Sequence, residues 1–379
     1  MRILLCSYFK FPNKCAGAIR HEKFAQMLQD LGHDVLIAAT GESTDFQINA
    51  YKDIKYISLR YNTPGIKHKI KMRLLYWSNL KKVISSFGPT CIIMDDLRPT
   101  VIKKLKSFCK QRNIRLVHDS VEWYSKEQFK LGPLSPAFID KEIVNRLSID
   151  ASCRVIAISR FLKKHFEAKN IDCVNIPIVV SDEDLHQNKN LQQTINITYA
   201  GQAGKKDYLH IIVSAMAQLS KEEKTKFKLH VLGCSEEQMI KNGISKKLLD
   251  TLGSSIKIYG RVPRDTVFKV LKESDFTVLI RSETQRYAKA GFPTKVVESL
   301  SHSTPVSADI TSDLGQYLVD GYNSLIVPNA TAEALKTVLQ KAISLSYDQR
   351  REMCINAYHT ALNRFHYKNF LDELNKIIN

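Results

Sequence analysis

Short apolar runs alternate with longer stretches of helical spacing along almost the whole chain. In the first half the runs fall at residues 3–7, 35–39, 54–59, 91–94, 114–118 and 155–158, each followed by turn or polar residues. After the first run, Phe24, Met27, Leu28 and Leu31 recur at intervals of three and four, which places them on one face of a helix. Such alternation predicts parallel strands joined by crossover helices. A polar stretch at 181–190 interrupts the pattern, which then restarts with runs at 195–200, 227–232, 256–259, 276–280, 305–308 and 325–327. The pattern predicts an α/β protein of two Rossmann-like, doubly wound domains, 1–182 and 183–365. In the closing segment, Phe370, Leu371, Leu374, Ile377 and Ile378 are spaced as a helix with one buried face requires. A helix over about 366–379 is therefore expected, packed back on the first domain.

Length and composition agree with this division. The 379 residues suit two domains, and 44% hydrophobic with 25% charged residues is the balance of a globular chain. No window approaches the ~20 apolar residues needed to cross a bilayer. Lys10 cuts the opening apolar run short and a second run follows at 35–39, so a first buried strand is expected in place of a secretory signal. The eight cysteines include no C-x-x-C pair, which indicates neither a zinc site nor a disulfide framework and fits a reducing cytoplasm. The net charge of +18 is uneven. Residues 1–180 carry 30 Lys/Arg against 16 Asp/Glu, a net +14, whereas residues 181–379 carry 26 against 22, a net +4. A field of that sign attracts nucleic acid, anionic lipid or a phosphorylated substrate alike. No RNA- or DNA-binding motif or paired aromatic platform accompanies it, and nucleic acid is not the expected partner.

Ligands of doubly wound domains bind in loops at the C-terminal ends of the strands, in the crevice between such sheets. One such loop contains Gly201, Gln202, Ala203, Gly204, Lys205 and Lys206, leaving a strand and entering a helix. Its small residues let backbone N–H groups approach a phosphate, and the lysines supply charge. It is neither G-x-x-x-x-G-K-[ST] nor G-x-G-x-x-G, and a tight strand-to-helix turn reads equally well. A second loop carries Arg281, then Gly291, Phe292, Pro293, Thr294 and Lys295 at a helix start, where Pro costs no hydrogen bond and free amides face outward. Glu298 follows one turn later, placed to accept both hydroxyls of a ribose or simply to face solvent.

Taken together, residues 291–299, then Ser303, Thr304, Pro305 and Val306, and later Asp320, Gly321, Tyr322 and Asn323, resemble the donor signature of retaining group-1 (family 4) glycosyltransferases of GT-B fold. Tyr259, Gly260, Arg261, Val262 and Pro263, with Gly233, match that family's strand ends. The resemblance is weaker in the first half, where it rests on the opening strand, on Ala16, Gly17, Ala18 and Arg20, and on Gly32, His33, Asp34 and Val35. It implies transfer of a sugar from a nucleotide-sugar to an acceptor hydroxyl with retained configuration. It further implies Glu298 as a ribose ligand, His118 as the group nearing the reacting carbon, and Gly17 as a close approach to the diphosphate. The family's E-x7-E motif has Ala290 in place of its first glutamate, and Gln202 stands in place of an arginine, which leaves Arg281 and Lys295 to supply charge. The resemblance implies no cofactor and no metal. Asp182, Glu183 and Asp184 mimic a D-x-D motif but fall in the polar stretch, and Asp95 with Asp96 reads as a crevice feature or a turn.

Lys67, Lys69, Lys71 and Arg73, followed by Trp77, combine basic and aromatic residues as a helix at an anionic membrane surface does, or as an ordinary solvated helix face. The membrane reading would bring a lipid-linked saccharide acceptor to a cytoplasmic, peripheral enzyme of surface-polysaccharide or glycolipid assembly. The alternatives are a catalytically inactive nucleotide-sugar-binding partner of another transferase and a basic nucleic-acid-binding protein.

Overall fold

The computed structural model describes residues 1–12, 15–41, 46–59, 66–187, 189–202, 204, 206–282 and 284–379, with backbone only at 66–74. The chain divides into two compact units, Met1–Val179 with Tyr367–Asn379, and Val180–His366. The division falls at Val179 and not at residue 182 because Val180 is already tied to the second unit. Its N–H donates to the Phe365 carbonyl (2.9 Å) and it bridges His366.

In the first unit, eight strands form one sheet. They are β1 (Arg2–Lys10), β2 (Asp34–Thr40), β3 (Ile48–Tyr51), β4 (Ile54–Ser58), β5 (Cys91–Met94), β6 (Arg115–Ser120), β7 (Arg154–Ala157) and β8 (Cys173–Asn175), in the order β3-β4-β2-β1-β5-β6-β7-β8. All neighbours are parallel except β3 and β4, a hairpin whose two loop residues, Lys52 and Asp53, have φ of 45° and 55°. Two positive φ values in a two-residue loop match the right-handed twist of the strands it joins. The two strands that the apolar pattern leaves out, β3 and β8, lie at the sheet's edges, where burial is partial and no continuous apolar run is needed.

On one face of this sheet the helix Ala16–Asp30 buries Ala18, Phe24, Met27 and Leu28 against Ile3, Leu5, Ile93, Val117 and Ile156. The closing helix Leu371–Ile378 joins the same core through Leu374, Ile377 and Ile378, each worth about 1.5–3 kcal/mol if wholly withdrawn from water. Arg154 Nη1 donates to the Ile377 carbonyl (2.9 Å) and Arg115 to that of Ile378, so two sheet arginines satisfy carbonyls that the helix end leaves open.

The second unit holds six parallel strands. They are β9 (Ile195–Ala200), β10 (Phe227–Leu232), β11 (Ile256–Gly260), β12 (Phe276–Leu279), β13 (Val306–Asp309) and β14 (Ser324–Val327), in the order β11-β10-β9-β12-β13-β14. The polar stretch before β9 is not structureless. Asp182–Asp184 form a 3-10 turn, with Ser181 and Asp184 satisfying each other's ends. Lys189 then anchors the segment by donating to the carbonyls of Leu271 and Ser274 (2.6 Å each) and to Thr304 Oγ1 (2.7 Å). Burial pushes its pKa down to about 8.

Candidate functional site

At the C-terminal end of the second sheet, three neighbouring strands end in or just before a glycine: Gly201 after β9, Gly233 after β10 and Gly260 closing β11. Gly201 donates to the Leu232 carbonyl (2.8 Å) and Gly233 to that of Gly260 (2.7 Å). Gly233 has φ +97°, and a Cβ there would stand 2.6 Å from the Gly201 oxygen, so no side chain fits. A Cβ on Gly201 would stand 2.0 Å from Lys295 Nζ, because the Lys295 side chain lies across this glycine with its ammonium 4.5 Å from the Tyr199 ring centre.

Lys295 comes from the helix Thr294–Ser301, whose N-cap is Pro293 and which has no side-chain cap. Pro293 therefore precedes the helix and does not occupy its first turn, and the opening amides keep the outward direction that attracts anions. Lys295 pairs with Asp207, which also accepts from Arg281 Nε at 2.9 Å. Arg281 follows β12 and is fixed at its own N–H by Asp309 Oδ1 (2.9 Å). Tyr199 Oη donates to Asp207 Oδ2 (3.4 Å) and to the Gln202 carbonyl (3.2 Å). Burial raises the Asp207 carboxyl, but Lys295 and Arg281 more than reverse this and hold it below the ordinary carboxylate range. Lys295 and Arg281 thus converge on Asp207, with Asp309 behind Arg281, and keep 28% and 12% of their side chains exposed.

One turn beyond Lys295, Glu298 Oε1 accepts from Arg264 Nη2 at 2.9 Å, and Arg264 lies over the Phe268 ring (4.9 Å). Burial raises the Glu298 carboxyl, against the pull of Arg264 and Lys295. Among the other expected donor residues, Gln202 and Arg261 are exposed, and Val262, Lys206, Gly291 and Thr294 are half-buried. The Lys206 carbonyl accepts from Tyr287 Oη (2.7 Å). The Phe292 ring is turned into an aromatic core with Tyr317 and Phe365, at 5.6 and 5.8 Å. Ala290 is buried at 0% exposure, and Lys205 lies outside the described residues.

The structure relocates two expected site residues of the first unit. β6 runs on to Ser120, so His118 sits within the strand and not at its end. Its ring is 2% exposed and packs near Phe166 (6.3 Å). Burial pushes its pKa to about 3, so it is neutral at pH 7. Gly17 does not stand on an open loop. It lies in the first turn of the helix Ala16–Asp30, where a Cβ would stand 2.7 Å from the Phe9 ring, so its open side is filled by Phe9.

Sequence reading missed a buried polar layer in the same unit. The alternating positions that carry Leu5, Ile93 and Val117 continue, toward the strand ends, to Ser7, Asp95 and Asp119. Arg20 binds Asp119 through Nε (2.7 Å) and Nη2 (2.9 Å) and donates to the carbonyls of Pro177 (2.7 Å) and Ile176 (2.9 Å). His21, Asp95 and Asp119 offer ligand atoms within 4.8 Å of one another. Both Asp119 oxygens are nevertheless committed to Arg20, whose charge opposes a cation. The signal was present in the sequence as Asp119 beside His118 and as Arg20 on an otherwise apolar helix face. The membrane-side residues Lys67, Lys69, Lys71 and Arg73 fall in the helix Ile66–Phe87, but their side chains lie outside the described residues, and Trp77 is half-buried against Phe108 (5.8 Å).

Residues 181–360 match the family of glycosyl transferases group 1. An uncharacterized glycosyltransferase of Methanocaldococcus jannaschii, MJ1069, is 24% identical over 73% of this chain and 70% of its own. Sucrose-phosphate synthase from Thermosynechococcus elongatus superposes with a TM-score of 0.79 at 15% identity, over 99% of this chain and 98% of that one. Anabaena Alr3699/HepE in complex with UDP gives 0.69 at 14% identity, over 99% of both chains. The chain thus has the GT-B fold, and its second unit matches the glycosyl transferases group 1 family over residues 181–360.

Proposed function

We propose that this protein transfers a glycosyl group from a nucleotide-sugar to an acceptor hydroxyl with retention of configuration, in polysaccharide or glycolipid assembly. The observation that carries the reading is the convergence of Lys295 and Arg281 on Asp207 beside the uncapped helix start at Thr294, over a floor of strand-end glycines. In such a transfer the sugar–phosphate bond loosens and negative charge gathers on the leaving diphosphate. Fixed cations and helix amides lower the barrier most where that charge develops. Lys295 and Arg281 take the phosphates, and Lys206 adds charge from the adjoining loop. Glu298, with Arg264 holding one oxygen, presents the other to the ribose. Arg261 and Val262, following β11, border the base. The UDP of the HepE complex makes UDP-sugars the first donors to try. The acceptor is a saccharide, lipid-linked if the basic helix Ile66–Phe87 meets an anionic membrane surface.

The second reading is a nucleotide-sugar-binding partner without activity, and the buried Ala290 in place of the family's first glutamate favours it. A thermal-shift screen of UDP-, GDP-, ADP-, CMP- and dTDP-sugars on the intact chain and on Glu298→Ala tests binding, and slow donor hydrolysis tests chemistry. Stabilisation by one nucleotide class, reduced in the variant and accompanied by hydrolysis, supports the enzyme. Stabilisation without hydrolysis supports the inactive partner, and no stabilisation by any donor contradicts both.

A further inference from the structure

The three most exposed large apolar side chains among the described residues belong to one connection. Leu134 is 75% exposed, Leu147 73% and Leu131 65%. All lie between β6 and β7, at residues 121–153. Leu131 and Leu134 flank and close a single 3-10 turn, Gly132–Leu134, and Ile139, 40% exposed, follows on the helix Pro136–Ile143. No charged side chain occurs from 131 to 139.

This exposure is built into the loop and does not come from a frayed end. Ser125 and Gln128 form a reciprocal cap at the base, with Ser125 N–H donating to Gln128 Oε1 at 2.8 Å. Tyr124, Phe129 and Phe138 make a ladder of ring contacts at 5.4 and 6.3 Å. Trp123 Nε1 donates to Glu142 Oε1 at 2.7 Å. Pro133 and Pro136 restrict the backbone on either side of Leu134. Folding thus holds two leucines out in water on a narrow, braced turn, where an apolar or interfacial partner can meet them together.

The connection 121–153 itself carries four Lys/Arg against five Asp/Glu, so attraction to an anionic surface comes from the wider unit and not from the turn. Around the turn the ions largely answer one another, Arg98 with Asp140 (3.7 Å) and Arg146 with Glu142 (2.7 Å), while Lys126 and Lys130 stand exposed at its base with Glu127 between them. The unit as a whole is strongly basic. Residues 1–180 have a net +14, and the closing segment 367–379 adds two lysines against Asp372 and Glu373. Long-range attraction to an anionic surface combined with a small apolar tip is the pattern of interfacial membrane binding. A protein partner or a second copy would be expected to meet a broader patch with an aromatic or arginine anchor, and the exposed tip from 131 to 137 contains neither.

We propose that the 131–139 turn is a wedge that inserts Leu131 and Leu134 at the headgroup–acyl boundary of an anionic bilayer, with Lys126 and Lys130 at headgroup level. The inference rests on the lipid-linked acceptor reading for its purpose, since the connection leaves the C-terminal end of β6, the edge at which doubly wound sheets receive ligands. Its binding event needs no donor or acceptor.

The test is flotation of the intact chain with phosphatidylglycerol–phosphatidylcholine vesicles, against phosphatidylcholine alone. The wild type is expected to float with the anionic vesicles, and Leu131→Ser/Leu134→Ser to lose about tenfold or more of the bound fraction. Leu134→Trp adds a second readout, a blue shift of emission on adding anionic vesicles. Because both leucines are exposed, the double variant should keep the thermal unfolding and donor response of the wild type. Flotation unchanged in the double variant overturns the wedge, as does concentration-dependent self-association that disappears with the same substitutions. Loss of flotation only in Lys67→Glu/Lys71→Glu also overturns it while leaving membrane binding to the basic helix. A chain that floats through the leucines but responds to no nucleotide-sugar contradicts the donor reading and supports the wedge.

Discussion

The C-terminal ends of the two sheets solve the same problem in opposite ways. In the first unit, Arg20 and Asp119 are 4% and 0% exposed at their side chains, and every charge-bearing atom that meets has a partner: two guanidinium nitrogens on the carboxylate and further N–H groups on the carbonyls of Ile176 and Pro177. In the second unit, Asp207 is shared by two cations that keep part of their surface in water. A saturated buried pair locks a helix to a sheet. A half-open one leaves its cations within reach of an anion. A strong ion pair therefore points to a ligand site only when its cations keep a face to solvent.

The largest expected effect lies in the closed cluster. Arg20→Ala leaves Asp119 buried without its partner and should cost about 3–5 kcal/mol, whereas replacing both residues by apolar ones of similar size should cost much less. Both tryptophans, Trp77 and Trp123, lie in the first unit, so urea unfolding followed by their fluorescence reads that unit selectively. Equal losses for the single and double variants would break the contrast. In the open cluster, Asp207→Asn sets Lys295 and Arg281 against each other. It should cost about 1–3 kcal/mol, seen as a lower calorimetric melting temperature. Its effect on anion affinity should be small or favourable, because the site gains positive charge. Gly233→Ala tests the floor beneath the cluster. With φ +97° and a Cβ 2.6 Å from the Gly201 oxygen, it should cost about 1–3 kcal/mol in the same melt while leaving the tryptophan-detected transition in place. The smallest effect belongs to Arg264→Ala, whose partner Glu298 is 33% exposed, at no more than about 1 kcal/mol.

Acid sharpens the comparison. Lys295 and Arg281 hold the Asp207 carboxyl low despite its burial, so its contribution to stability is complete above the unfolded value of about 3.9 and is lost as pH falls through the folded one. Asp95 has the opposite sign. Burial, reinforced by Asp119 and Asp96, raises its carboxyl, so its contribution is present below the unfolded value and is lost as pH rises through the folded one. Asp95→Asn should therefore flatten the pH dependence of the tryptophan-detected transition on the neutral side. Asp207→Asn should reduce the acid-side loss in the second unit.

The sheets were legible wherever burial demands a continuous apolar run: β9 and β10 span the residues that the pattern marks, and β1, β2 and β5 contain theirs. The edge strands β3 and β8 were not, because four residues alternating exposed and half-buried, or three at a sheet margin, leave no such run. In the second unit the residues of the charged cluster stood out as strand-end and helix-start positions, but Asp207 did not. Its importance comes from Lys295 and Arg281 converging on it, 88 and 74 residues away in sequence. For the same reason the Arg20–Asp119 pair, 99 residues apart, was invisible as a pair. His118 and Gly17 were singled out for reach toward a ligand, yet strand length and the Phe9 ring, which decide that reach, are properties of packing and not of spacing.

The account turns on whether the Lys295 cluster receives a donor diphosphate, and titration calorimetry with UDP-glucose on the intact chain and on Lys295→Ala tests this most directly. Saturable binding by the wild type, weakened about tenfold or more in a variant that still melts cooperatively, is the predicted result, since a hydrogen bond to a charged group contributes about 1.5–3 kcal/mol. Equal affinity in the two proteins would contradict it.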